Sequence, residues 1–453
     1  MPQNNAIAFI DYSYNRYSLA VLTGVLEENP DFADLPIHFL RAPREGGIEG
    51  HKAEELNQAV IKLAASYDRL VVAFSFHTPN IMAMASAISL LKTALTSSKT
   101  TNVLLIAGGP HPSGDPLGTL EMGIDVVVVG EGELSLPQLL EHYFSGKDYR
   151  QVLGLSYLQA AKYHFSGRPK PIDLSDYPPF ALKHRRFAPI EIGRGCPWAC
   201  SFCQTPFLMG GRMRYRSVES TVHYATLAKQ AGLRDLRFIT PVAFAYGSED
   251  GRTVNLAAIE ALLEPLSHIY GKEHLFFGSF PSEVRPESVS DEALSLVKRY
   301  CANDNIIIGA QSGSERMLKA MHRGHGVAEV IEATKLIIGH GMTANVDFIF
   351  GMPGEAAEDI AASLALMDKL TQMGARVHSH TFMPLVGTPM SQQKPGVVDE
   401  STRNMLENLR SQGLEYGHWK MQEQIAATST QFLQDQQAQR DDSLKKVKPI
   451  HRQ

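Results

Sequence analysis

The sequence predicts an α/β protein: a doubly wound, Rossmann-like parallel sheet, then a partial (β/α)6 TIM-like barrel, then a small helical region. Three observations predict it. Short runs rich in Val, Ile and Leu alternate with helix-length amphipathic stretches in two successive series. A proline-containing segment at 151–186 separates the two series. A chain of 453 residues also exceeds one ordinary core and must divide.

In the first series, residues 1–150, the strand runs are Ala6–Asp11, Ile37–Leu40, Leu70–Phe74, Val103–Ala107 and Asp125–Val129. Helical stretches fall at Leu19–Glu28, Ala53–Ala65, Ile81–Leu95, Ser113–Met122 and Leu134–Phe144. Near-continuous apolar strands between helices indicate a parallel sheet covered on both faces, with ligands expected at the strands' carboxyl ends. Those ends read Ser75-Phe76-His77-Thr78, Gly108-Gly109-Pro110-His111 and Gly130-Glu131-Gly132-Glu133. Glycine there lets backbone approach a ligand, and small hydroxyls bond to polar groups. Neither a G-x-G-x-x-G fingerprint nor a P-loop occurs.

The segment 151–186, with prolines at 169, 171, 178 and 179, reads as an extended linker. The second series, 187–395, has strand runs at Ala188–Ile192, Leu236–Thr240, Leu275–Ser279, Ile306–Ala310, Ala344–Phe350 and Val377–Met383. Helices are expected at Val218–Gln230, Leu256–Ile269, Asp291–Tyr300, Ala328–Ile338 and Ala357–Met373. Such repeats curl into a barrel whose chemistry sits at the carboxyl ends of its strands. The last region, 396–453, is read as helical with a polar tail.

Composition narrows function. A net charge of −5 over this length gives no sign of nucleic-acid binding. The longest apolar stretch, Leu70–Leu91, is broken by Ser75, His77, Pro79 and Asn80, so no membrane span is expected. Met1–Asn5 is polar and Ala6–Asp11 too short for a secretory signal. Few cysteines, mostly clustered, fit a reducing cytoplasm.

That cluster is Cys196-Pro197-Trp198-Ala199-Cys200-Ser201-Phe202-Cys203, which follows the first strand of the barrel series. Three thiolates in so short a loop suit three corners of a 4Fe–4S cluster and leave one iron free for a small molecule. The alternatives are a zinc knuckle completed by a distant residue, or three unrelated buried cysteines. The fourth cysteine, Cys301, lies in a helix-like stretch and reads as a buried hydrophobe.

The C-x3-C-x2-C loop, with its aromatic Phe202, resembles that of the radical S-adenosylmethionine (SAM) enzymes. In that family the free iron chelates SAM, and an electron from the cluster releases a 5′-deoxyadenosyl radical. Gln311-Ser312-Gly313, followed by Arg323-Gly324-His325, is similar to a family segment, as is the turn Gly351-Met352-Pro353-Gly354-Glu355. The resemblance implies SAM contacts from Phe202, Glu283, Gln311, Ser312, Gly351 and Pro353. Arg212, Arg214 and Arg216 would share one face if extended and hold an anionic group. The second strand ends Thr240-Pro241-Val242, without the acid many members carry.

The first domain resembles the cobalamin-binding domain fused in front of many radical SAM domains, best from Gly108 to Glu133. This implies cobalamin contacts from Ser75, Thr78, Gly108, Gly109, His111, Gly130, Glu131 and Gly132. The D-x-H-x-x-G motif is absent, so base-off cobalamin is expected, with His77 and His111 as candidate cobalt ligands. The leading reading is a cobalamin-dependent radical SAM enzyme that transfers methyl to an unactivated carbon through methylcobalamin and the 5′-deoxyadenosyl radical. The alternatives are a cobalamin-dependent rearrangement or cyclisation, and a non-catalytic corrinoid or redox sensor. Methylthiotransferases resemble the barrel but carry an upstream cysteine cluster, and no cysteine precedes Cys196. A low-potential donor of flavodoxin or ferredoxin type is the expected partner; the substrate is not legible, and a small molecule, a lipid-like intermediate and a peptide all remain open.

Overall fold

The computed structural model of the chain describes residues 4–41 and 50–446; the end of the polar tail lies outside them. Strands β1 (Asn5–Asp11), β2 (Ile37–Arg41), β3 (Arg69–Ser75), β4 (Val103–Gly108) and β5 (Val126–Val128) form a parallel sheet in the order β2-β1-β3-β4-β5. Alternate residues of β1 feed opposite cores: Ala6, Ala8 and Ile10 face one, Ile7 and Phe9 the other. Helices α1 (Arg16–Glu28) and α6 (Gly132–Ser145) cover one face. Helices α2 (Gly50–Ala64) and α3 (Ile81–Ser97) cover the other, and the short α4 (Pro110–Gly114) and α5 (Pro116–Glu121) follow β4. This strand order places a topological switch between β1 and β3, where such sheets open a ligand crevice.

The sheet does not end at residue 150. β6 (Leu155–Gln159) pairs antiparallel with β5, and β7 (Lys162–Phe165) with β6. Tyr157, Gln159, Lys162 and His164 give this hairpin too little apolar surface to read as sheet, but β5 offers it a free edge. Only the part after β7 is an extended connector.

The second domain begins with β8 (Ile190–Glu191) and β9 (Gly193–Arg194), then α7 (Thr205–Met209), β10 (Arg214–Tyr215), α8 (Val218–Gln230), β11 (Phe238–Ile239) and α9 (Leu256–Tyr270). It continues through α10 (Asp291–Tyr300), β12 (Asn305–Gln311), α11 (Glu315–Ala320), α12 (Val327–Gly339), β13 (Thr343–Phe350), α13 (Ala357–Gln372) and β14 (Arg376–Thr381). β8 pairs with β11, and β12, β13 and β14 pair in order, all parallel. The expected third strand, Leu275–Ser279, is not regular. Isolated parallel bridges at Leu236–Leu275, Thr240–Ser282 and Val284–Ile308 carry it across instead. Gly278, at φ +73°, kinks the chain out of strand geometry there.

Along β13, Ala344, Val346, Phe348 and Phe350 pack outward into the main core. The intervening Asn345, Asp347 and Ile349 take the opposite face, and β14 likewise alternates buried Val377 with His378 and His380. A closed TIM barrel fills its interior with apolar layers. This partial barrel keeps a polar lumen.

The C-terminal region is not purely helical. After α14 (Glu400–Ser411), β15 (Glu415–Gly417) adds a parallel strand beside β14. Helix α15 (Trp419–Lys446) then runs back to the first domain, where Gln436 Nε2 donates to Gly118 O at 2.9 Å and Arg440 pairs with Glu121 and, at 3.6 Å, Asp115. No described helix is long and apolar enough to cross a membrane.

Candidate functional site

The cysteine loop is fixed by its backbone. Cys196 N–H donates to Gly210 O at 3.0 Å, Ser201 N–H to Met321 O at 3.1 Å, and Cys203 N–H to Cys200 O at 3.0 Å. Trp198 wedges the loop against Gly324, where an added Cβ would fall 2.5 Å from the indole and the backbone sits at φ +76°. That is the physical need for glycine between Arg323 and His325. The Arg285 guanidinium lies 3.8 Å from the Trp198 ring, and Arg323 Nη1 approaches Cys200 Sγ at 3.4 Å.

Burial raises the Cys196 thiol and pushes Cys203 up to about 11, so these groups ionise when a metal takes the place of the proton. Among the described residues, the one His/Cys/Asp/Glu trio whose ligand atoms all lie within 4.8 Å of one another is Asp347, His378 and His380. Three thiolates from one short loop, all lining one cavity, fit a multi-iron cluster held at three corners, with one iron left to a small molecule. Cys301 stands apart, buried at the end of α10.

The cysteines open onto a cavity of about 510 Å³, also lined by Phe202, Thr240, Glu283, Gln311 and Arg323. Gln311 Oε1 and Thr240 Oγ1 are buried without protein partners. Gln311 also holds φ +70°, a conformation non-glycine residues rarely keep without a functional cause. Glu283 projects into the cavity, and burial, then the nearby Asp347, push its carboxyl up to about 7.

Three expected contacts do not line this cavity. The Ser312 hydroxyl meets Ser363 Oγ at 3.2 Å and accepts Ser314 N–H at 3.2 Å. Gly351 and Pro353 form a turn against the C-terminal segment; Gly351 N–H donates to Glu355 at 3.0 Å, and an added Cβ would strike Val397 N at 2.6 Å. The strand positions Asp347, Ile349 and His380, with Gln422 of α15, line the cavity instead. Their one signal in the sequence was polar residues at period two within strands otherwise buried.

A second cavity, about 390 Å³, sits at the carboxyl ends of β3, β4 and β5. Ser75, Gly108, Gly109, Gly130, Glu131 and Gly132 line it, together with His77. It extends as an apolar slot between Leu19 and Leu22 of α1 and Leu136 of α6. Such a slot suits a flat heteroaromatic base. Thr78 and His111 lie behind the wall: His111 Nδ1 is 3.1 Å from Thr78 Oγ1, and its ring stacks on Phe76. Burial lowers His111 to about 4.

Glu131 lines the cavity, but its carboxylate is already engaged. It meets Arg194 at 3.0 Å and Arg214 at 2.7 Å, and accepts Ile172 N–H at 3.1 Å. Glu133 also binds Arg194, at 2.7 Å, which holds its carboxyl below the usual range despite the opposing effect of burial. Two of the three arginines in the series are engaged in the same way, Arg214 by Glu131. Arg216 is buried and donates to Glu191 O, Tyr177 O and Ser220 Oγ, while Arg212 is exposed. The two cavities share a wall formed by Glu191, Arg194, Met209 and Ile239.

A partial barrel carries the three-cysteine loop at its mouth, and a doubly wound domain meets it across the wall of Glu191, Arg194, Met209 and Ile239. Two family models agree: the Radical SAM superfamily over 190–367 and the B12 binding domain over 19–140. The chain thus joins a radical SAM superfamily domain to a B12 binding domain.

The chain is 27% identical over 313 residues to an uncharacterized methyltransferase of Pyrococcus horikoshii, covering 64% of each. It is 28% identical over 239 residues to a putative methylthiotransferase of Methanocaldococcus jannaschii, covering 53% of this chain and 51% of that one. It thus spans about half to two thirds of these relatives' length. The fold is that of the radical SAM methyltransferase TsrM from Kitasatospora setae, solved with cobalamin and a 4Fe–4S cluster bound: TM-score 0.65, 16% identity, covering 87% of this chain and 75% of that one.

Proposed function

We propose that the protein transfers a methyl group to an unactivated carbon of a small-molecule or peptide substrate. The observation that carries this reading is the shared wall. The cavity holding the cysteine loop abuts the cavity at the strand ends of the B12 binding domain. When bound, the cluster with SAM supplies a reactive alkyl radical and cobalamin supplies a methyl carrier.

The chain's own residues do the rest. Cys196, Cys200 and Cys203 hold the cluster. Gln311, Thr240 and Glu283 accept hydrogen bonds from SAM, and Arg323 suits its carboxylate. Ser75, Gly108, Gly109, Gly130 and Gly132 let cobalamin approach the sheet edge, while the slot beside Leu22 and Leu136 takes its base. The Arg194–Glu131–Arg214 ion pairs keep the domains closed and water out. A low-potential flavodoxin- or ferredoxin-type donor supplies the electron.

Sulfur insertion, suggested by the methylthiotransferase relative, finds no support in residues 1–195, which contain no cysteine.

The test is anaerobic incubation of cluster- and corrinoid-loaded protein with methyl-labelled SAM, a strong reductant and candidate substrates. S-adenosylhomocysteine together with 5′-deoxyadenosine and label on a substrate carbon is expected. 5′-Deoxyadenosine alone would establish rearrangement or cyclisation. Neither product from fully loaded protein would indicate a sensor.

A further inference from the structure

Across the lumen from the cysteine loop, two strands bring a donor set together. Asp347 and His378 are register partners on β13 and β14, and His380 is two residues on, on the same face. Asp347 Oδ1 lies 3.0 Å from His378 Nδ1, which lies 3.2 Å from His380 Nε2, and one ligand atom from each of the three residues falls within 4.8 Å of the others. For metal–ligand lengths of about 2.1 Å, the 3.0 and 3.2 Å edges each subtend an angle of about 90–100° at a common ion, that between adjacent octahedral positions.

The rings are held in place from behind. His378 stacks on Tyr416 of β15 at 4.5 Å and 8° between planes, and the guanidinium of Arg376 lies 5.0 Å from the Tyr416 ring. Gln422 accepts Thr381 N–H at 3.0 Å and sits 3.1 Å from His380 Nδ1. Outer contacts of this kind orient metal-binding imidazoles.

Asp347 and His380 both line the cavity onto which the cysteine loop opens, so an ion held between them would face that space.

We propose that Asp347, His378 and His380 bind one divalent first-row cation at the barrel mouth, with its remaining positions open to the cavity and available to an oxygen donor of the substrate. This two-histidine, one-carboxylate set is distinct from the cysteine loop and does not depend on methyl transfer being the reaction.

One contact works against it in the ion-free protein. With Gln422 Oε1 held by Thr381, the amide nitrogen faces His380 Nδ1, so the imidazole proton sits on Nε2. Binding must move that proton to Nδ1 and turn the amide.

The test uses tag-free protein with its cluster oxidised and its corrinoid as cobalt(III), so that neither contributes an electron paramagnetic resonance signal. Titration with Mn²⁺ is expected to show one bound ion per chain. Asp347→Asn should weaken binding more than about tenfold, and Gln422→Glu, which offers an acceptor to Nδ1, should tighten it. Asp291→Asn, at an exposed aspartate paired with His340 at 2.8 Å, should leave it unchanged. His380→Gln gives a second loss-of-ligand variant if Asp347→Asn fails to load its cluster. No bound Mn²⁺ in the wild type near millimolar concentration, or equal binding by wild type and both ligand variants, overturns the site.

Discussion

At the residue scale, Arg194 carries a buried electrostatic tie between the domains. Its guanidinium, 10% exposed, meets Glu131 at 3.0 Å, Glu133 at 2.7 Å and Glu191 at 2.6 Å. Removing one member of such a buried set strands its partners' charges. Arg194→Met should therefore cost about 3–5 kcal/mol, read as a lower urea midpoint. A loss below about 1 kcal/mol would mean that the carboxylates find solvent.

Glu283 sets a pH dependence. In the folded protein its carboxyl titrates at about 7 rather than 4.5, so the folded state keeps a proton that the unfolded chain releases. Stability contributed by this group is present at low pH, falls as pH rises from about 4.5 to 7, and is flat above. Glu283→Gln should leave thermal stability near pH 4.5 unchanged and raise it at pH 8, measured without SAM. Parallel melting profiles across that range would contradict it.

Residue roles were legible where ligands are contiguous in the chain. The cysteines declare themselves within eight positions. Glu131 did not, because the arginine that engages it is 63 residues away, and nothing near Gly130 reports it. His111 was plausible at a strand end, but helix α4 turns it inward onto Phe76.

At the scale of elements, most strands and helices were readable because apolar period and length agree. The misses share a cause. β6, β7 and β15 are short strands with few apolar residues, stabilised by an edge supplied elsewhere in the chain. The polar faces of β13 and β14 would read as solvent-facing in an open sheet; only barrel curvature turns them into a lumen.

Helix α15 links lumen and first domain, through Gln422 at one end and Gln436 and Arg440 near the other. The double variant Gln436→Ala/Arg440→Ala should raise hydrogen exchange at α5 several-fold while β14 stays protected. Unchanged exchange at α5 would show that apolar packing of α15 alone holds the contact.

At the scale of the molecule, the domain order makes chemical sense. In the proposed reaction a radical abstracts hydrogen from whatever is nearest, so its source and the methyl carrier must share one enclosed space. The facing cavities, the buried ion pairs and the α15 strap provide that enclosure.

The most direct test of the account is metal and corrinoid content after anaerobic purification from cells supplied with cobalamin. About four irons and one corrinoid per chain are predicted, with iron lost but corrinoid kept in Cys200→Ala. Iron without corrinoid, even after reconstitution, would contradict the two-cofactor reading and leave a simpler radical SAM enzyme.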